Sequence, residues 1–167
     1  MVQKTFFYGE SVYVPFFVRA PDAKPGKCTE LVNGSVDVLP TILDYAGIPV
    51  PGSLSGRSVR PSVEGQTPES PRDYVVSQVH LCQPKMPVET PRTYARMVRS
   101  SRYSYWLLDQ GKDREVLFDV KADPGEMTNI AAHPDSRPAI EQHRAFLLEH
   151  PERTADERAK RMLSAVT

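Results

Sequence analysis

Apolar positions along this chain change texture near residue 72. Before it they form separate patches, divided by stretches rich in proline, glycine and serine. After it four short runs rich in aromatic and β-branched residues follow one another. These are DYVVSQVHL (73–81), TYARMVRSS (93–101), YSYWLLDQG (103–111) and EVLFDV (115–120). Runs of that length and composition read as strands. Short turns such as DQGKDR join the last three, so they read as an antiparallel meander. RPAIEQHRAFLLEHPE (137–152) places Ile140, His143 or Arg144, Leu147 and Leu148 near one face, which predicts an amphipathic helix. KADPGEMTNIAA is a turn leading to a short helical segment, and RTADERAKRMLSAVT reads as a charged, frayed tail.

The first half is sparser. SVYVPFFVRAP (11–21) predicts a strand closed by Pro21. Its inner VPFFV is apolar without alternation, which suits burial on both faces. NGSVDVLPTILDYAGI (33–48) predicts a helix. Ser35 or Asp37 can cap its start, Pro40 fits the first turn, and Gly47 ends it in a left-handed conformation. Val36, Leu39, Ile42, Leu43 and Ala46 recur at helical spacing. Residues 49–71 are loop.

Composition narrows the function classes. Lys plus Arg equals Asp plus Glu, at 21 each. A nucleic-acid partner is not expected, because phosphate binding needs clustered positive charge. No run approaches the roughly 20 apolar residues of a membrane span, and no signal peptide is visible; the compartment stays open. Cys28 and Cys82 lie outside any CxxC spacing, and His80, His133, His143 and His150 are scattered, so no zinc site is expected.

Five segments in order resemble the C-terminal part of the sulfatase family, within the alkaline-phosphatase-like superfamily. VQKTFFYGESVYVPFFVRAP is similar to that family's Lys-x-Thr-x-Tyr-Glu-Glu-x-x-Arg-Val-Pro segment. VNGSVDVLPTILDYAGI resembles its Asp-x-x-Pro-Thr-Leu-Leu-Asp-x-x-Gly helix, and LSGRSVRPSVEG its Gly-x-Ser-Leu-x-Pro-Leu loop. VRSSRYSYW resembles its Arg-Tyr-Lys-Tyr strand. EVLFDVKADPGEMTNIA resembles its closing Leu-Tyr-Asp-Leu-x-x-Asp-Pro-x-Glu-x-x-Asn-Leu motif.

The resemblance implies an α+β fold: a four-stranded antiparallel sheet packed by a helix, preceded by a strand and a helix of the sulfatase α/β domain. Residues 1–70 would end that catalytic domain and 71–167 would form the C-terminal subdomain. It also implies that Lys4 contacts the substrate sulfate, since a compact ammonium stabilises an anionic ester. The parent enzyme would use calcium and a formylglycine nucleophile. No Cys- or Ser-x-Pro-x-Arg occurs here, so the chain holds neither and is expected to be inactive alone. The alternatives are a phosphonate or phosphodiester hydrolase of the same superfamily, and a non-catalytic interaction module. Gly9 and Tyr13 depart from the pattern, where Glu and Arg are usual.

Other residues compete for roles. His80, Arg96 and Arg102 are candidates for binding a sulfated small molecule or glycan. Strand alternation puts Arg99 opposite Arg96 and Arg102. Asp119, Asp123 and Glu126 lack the ligand density of a calcium loop, and Asp123-Pro124-Gly125 is turn chemistry. Asp37 and Asp44 read as cap and surface residues. The apolar 14–18 stretch, without neighbours, is expected to drive self-association.

Overall fold

A computed structural model describes residues 6–68, 70–80, 94–154 and 157–166. The chain forms two compact units, Met1–Tyr13 with Val76–Thr167, and Val14–Val75.

The first unit is built on four strands in the order β1-β2-β3-β4. They are β1 (Tyr74–His80), β2 (Tyr94–Ser100), β3 (Tyr103–Leu108) and β4 (Glu115–Asp119). β2–β3 and β3–β4 are antiparallel, with Met97 opposite Trp106 and Trp106 opposite Val116. The meander forms as the sequence predicts, because turns of this length can only join antiparallel neighbours. Both faces of the sheet are covered, so β2 and β3 bury four consecutive residues each instead of alternating.

On one face Ala95, Met97, Trp106 and Phe118 form a core cluster with Phe7. On the other, α4 (Arg137–Thr154) brings Ile140, His143 and Leu147 to buried positions, alongside Val98, Tyr105, Leu107 and Leu117 of the strands. Leu148, expected on that face, is exposed: it falls one residue past Leu147 and thus about a quarter turn away. The tail is not frayed. α5 (Glu157–Leu163) packs on α4 and β3 and buries Met162 and Leu163. Glu157 and Arg161 stay exposed around them.

The second unit holds α2 (Val38–Tyr45) and the single turn α3 (Arg60–Val63). Pro40 lies in the first turn of α2, and Gly47 takes φ 69° just beyond it. Asp37 sits at the N-cap position without capping, because its carboxylate is committed elsewhere. The strand expected over 11–21 does not form. Gly9–Val12 makes one helical turn, α1, and residues 13–20 run without ladder pairing. A strand exists only where a neighbour takes its backbone hydrogen bonds. Val14 and Phe17 accordingly stand exposed, Phe17 at 91%.

Candidate functional site

Lys4, Cys82 and the 84–91 loop lie outside the described residues, as does the side chain of His80. The geometry therefore bears on the residues that follow Lys4, from residue 6 onward.

Residues 7–9 are fastened to the sheet and its closing loop. Phe7 is 5% exposed and meets Trp106 edge-on at 5.8 Å, while the Tyr8 ring meets Trp106 at 4.8 Å. Aromatic pairs in such edge-to-face contact contribute about 0.5–1.5 kcal/mol each beyond area burial. The α1 turn follows, and its Gly9 N–H donates to Glu126 Oε2 at 2.6 Å. Glu126 is buried, and its other carboxylate oxygen lies 3.6 Å from Arg99 Nη1. The Arg99 guanidinium in turn lies over the Tyr13 ring at 5.2 Å.

The two departures from the family pattern touch one another. A Cβ on Gly9 would approach the Tyr13 ring to 3.0 Å. A smaller residue at position 9 therefore makes room for the ring at position 13.

The closing motif shapes this anchor. Asp123 Oδ2 accepts from the Met127 and Thr128 amides, and Asp119 Oδ1 from those of Lys121 and Ala122. Asn129 Oδ1 accepts from Leu117 and Ala131. The tight loop puts Glu126 at φ 51°, in the left-handed region. Asp119 and Asp123 thus serve turn chemistry. Glu126 does more than the turn reading suggests: it joins residues 117 positions apart. Nothing local in the sequence marks that contact, because its partner is a backbone N–H.

The arginines are dispersed. Arg96 is buried, with Nη2 3.3 Å from Gln78 Oε1 and its guanidinium 5.8 Å from the Tyr94 ring centroid. Arg99 lies opposite Ser104, three residues on and on the other face. Arg102 lies in the β2–β3 turn, beyond the alternation that would pair it with Arg96. It is 57% exposed and binds Asp119 at 2.7–2.9 Å, an interaction that raises the Arg102 pKa and lowers that of Asp119.

In the second unit the motif helix is held by a buried charge. Asp37 is fully buried. Its oxygens accept from Arg72 at 2.6 and 2.8 Å, from the Asn33 amide at 2.7 Å and from the Arg57 amide at 3.0 Å. Burial alone would raise its pKa. Arg72 and the two backbone donors overcome that and hold it below the usual value. Thr41 Oγ1 donates to the Asp37 carbonyl and accepts from the Val59 amide, tying α2 to the following loop. Arg57 binds Glu30, which also accepts from Ser62. Asp37 is thus a buried clamp where the sequence reads a cap, and Asp44 is a partly exposed partner of Arg60.

Among the described residues, no group of three or more His, Cys, Asp or Glu could hold a metal ion. The donor set of the described residues does not fit calcium. No helix is long and apolar enough to cross a membrane among the described residues. Cys28 is a free, exposed thiol.

Known proteins resemble this chain in sequence and architecture. The family described as "N-sulphoglucosamine sulphohydrolase, C-terminal" matches residues 1–153. A delta 4,5-hexuronate-2-O-sulfatase of Bacteroides thetaiotaomicron is 36% identical over 154 residues, 90% of this chain and 31% of that one. Human arylsulfatase K is 30% identical over 160 residues, 91% of this chain and 28% of that one. A solved 2-O GAG sulfatase superposes with TM-score 0.80 and 36% identity, covering 91% of this chain and 32% of that one. A phosphonate monoester hydrolase from Silicibacter pomeroyi follows with TM-score 0.65 and 29% identity, covering 81% and 28%. The chain spans about a third of the length of these relatives. With the match running through nearly all of its residues, the chain belongs to the sulfatases, in the C-terminal N-sulphoglucosamine sulphohydrolase family.

Proposed function

We propose that the chain is the C-terminal portion of a sulfuric ester hydrolase acting on a sulfated saccharide, and that by itself it does not turn over. The observation that carries this is the 36% identity, at TM-score 0.80, to a 2-O GAG sulfatase over 91% of the chain. Lys4 supplies a positive charge to the substrate sulfate, and Phe7, Tyr8 and Gly9, which follow it in sequence, are anchored on Trp106 and Glu126. Residues 1–70 continue the catalytic domain and 71–167 form the C-terminal subdomain; residues 6–13, packed on the sheet, cross that division. His80, Arg96 and Arg102 stand as substrate-side candidates. Arg102, on the exposed turn, is more accessible than the buried Arg96, and a sulfate would compete with Asp119 for it. Calcium and formylglycine, on this reading, belong to the remainder of the enzyme.

Open self-association of the chain also follows from this reading. Val14 and Phe17 are exposed in a segment that reads as a strand but has no ladder partner.

A phosphonate monoester hydrolase reading has support in the 29% identity to such an enzyme. The test is a substrate panel for the intact enzyme: a 2-O-sulfated unsaturated uronate saccharide, an N,6-disulfated glucosamine and a phosphonate monoester. Sulfate release from a saccharide, well above phosphonate cleavage, is the expected result. Preferential cleavage of the phosphonate would replace this reading with the second one.

A further inference from the structure

We propose that Glu126 is a positioning residue for the Lys4 segment, acting through the Gly9 N–H. The proposal rests on the reading of Lys4 as the sulfate contact.

Glu126 is a buried carboxylate in a left-handed backbone conformation that a non-glycine residue rarely adopts. The closing loop holds it there through Asp123 and Asn129. One oxygen takes the Gly9 N–H at 2.6 Å, and the other faces Arg99 at 3.6 Å. Gly9 opens α1, whose remaining bonds run back to Tyr8 and Gly9 carbonyls. The carboxylate therefore fixes the start of that turn, while Phe7 and Tyr8 dock on Trp106. Lys4 stands three residues before Phe7, and three residues of chain span at most about 11 Å. An anchor this close in sequence is the kind of remote contact that improves alignment at a reacting centre. Arg99 has two parts in this: it neutralises Glu126 and covers the Tyr13 ring at the far end of the turn. A carboxylate used only to close its own loop would not need a partner 117 residues away.

The test uses the intact enzyme with Lys4→Ala, Glu126→Ala, Glu126→Gln and the Lys4→Ala/Glu126→Ala double variant. Glu126→Ala is expected to lose about tenfold in turnover, on the scale of a misplaced group, and to show the same split between kcat and KM as Lys4→Ala. Glu126→Gln keeps an acceptor for the Gly9 N–H and should recover most of that loss. In the Lys4→Ala background, Glu126→Ala should cost less than twofold further, because there is no ammonium left to misplace. Gly9 amide exchange and Trp106 emission are read in the same variants. Both should change in Glu126→Ala and stay close to wild type in Glu126→Gln. If Lys4→Ala turns over like wild type, the reading of Lys4 falls and takes its positioning with it. If Lys4→Ala is impaired but Glu126→Ala is not, that reading stands and the proposal falls. The proposal also falls if Glu126→Ala costs its full tenfold in the double variant, which marks a structural effect independent of Lys4. If Glu126→Ala does not fold, Glu126→Gln alone decides: a slowed Gly9 exchange equal to wild type with lost turnover overturns the proposal.

Discussion

Replacing Arg72 with Met should loosen α2 selectively. The substitution keeps an unbranched stem but removes the guanidinium that meets both oxygens of a fully buried carboxylate, at 2.6 and 2.8 Å. Breaking a buried pair from one side costs about 3–5 kcal/mol, chiefly because the other charge stays behind. Asp37 keeps the Asn33 and Arg57 amides as donors, which places the cost at about 3 kcal/mol. At about 1.4 kcal/mol per factor of ten, protection of the Thr41 and Val59 amides should fall by about a hundredfold. The effect has a pH signature. In the native chain Asp37 is held below its usual pKa, so its contribution is complete above about pH 4 and lost as pH falls through the lowered value. Without Arg72, only the two backbone donors oppose burial, so the folded pKa rises from its native position. The variant can then protonate Asp37, and its deficit against wild type should narrow as pH falls toward 4. Amide hydrogen exchange at pH 7 and 4.5 checks both points. A change in Thr41 and Val59 exchange below threefold at pH 7, or a deficit that does not narrow in acid, would refute the argument.

Three further outcomes follow from the packing. His143 is buried, which lowers its pKa, although the Ala139 carbonyl it touches acts the other way. Stability should thus be complete above about pH 6.5 and decline below it by up to about 1.4 kcal/mol per pH unit; urea midpoints read by Trp106 that are flat from pH 7 to 5, or equally sloped in His143→Gln, would contradict this. Tyr105 donates to Glu115 at 2.5 Å, beside the Arg144 pair, and burial followed by Glu115 pushes its pKa up. Tyr105→Phe should cost about 1.5 kcal/mol, the low end for a bond to a charged group because Arg144 still holds Glu115; an unchanged urea midpoint counts against that. Phe17→Ser should shift light scattering of the chain toward monomer, since burying one Phe contributes about 1.5–3 kcal/mol, and a chain already monomeric before substitution would remove the proposed self-association.

The sequence reads well where the physics is local. The meander follows from four strand-like runs joined by short turns, and α2 from Pro40 and Gly47 at its ends. What was hidden depends on distant partners. The 11–21 segment has strand composition, but composition cannot supply the neighbour that a ladder needs. Asp37 looks like a cap because caps are common before a helix; its commitment to Arg72 spans 35 residues and leaves no local trace. Glu126 sits in turn chemistry that is real, and only the fold reveals that its carboxylate faces the Gly9 amide. Arg96, buried on one face, and Arg102, in a turn, share no strip because alternation ends where the strand does. The tail's Met162 and Leu163 show the same lesson in reverse, since two apolar residues sufficed to dock a mostly charged segment.

On the proposed reading, Lys4 of this chain meets the substrate sulfate of a sulfatase whose nucleophile and metal ligands lie in the rest of the enzyme. Sulfate release from a chromogenic sulfate ester tests it, comparing the chain alone, the intact enzyme and its Lys4→Ala variant. Blank-level release from the chain, turnover by the intact enzyme, and a loss of roughly 10²-fold in Lys4→Ala, the scale of removing one charge-stabilising donor, are the expected results. Chelator-sensitive turnover by the chain alone, or an unchanged rate in Lys4→Ala, would contradict it.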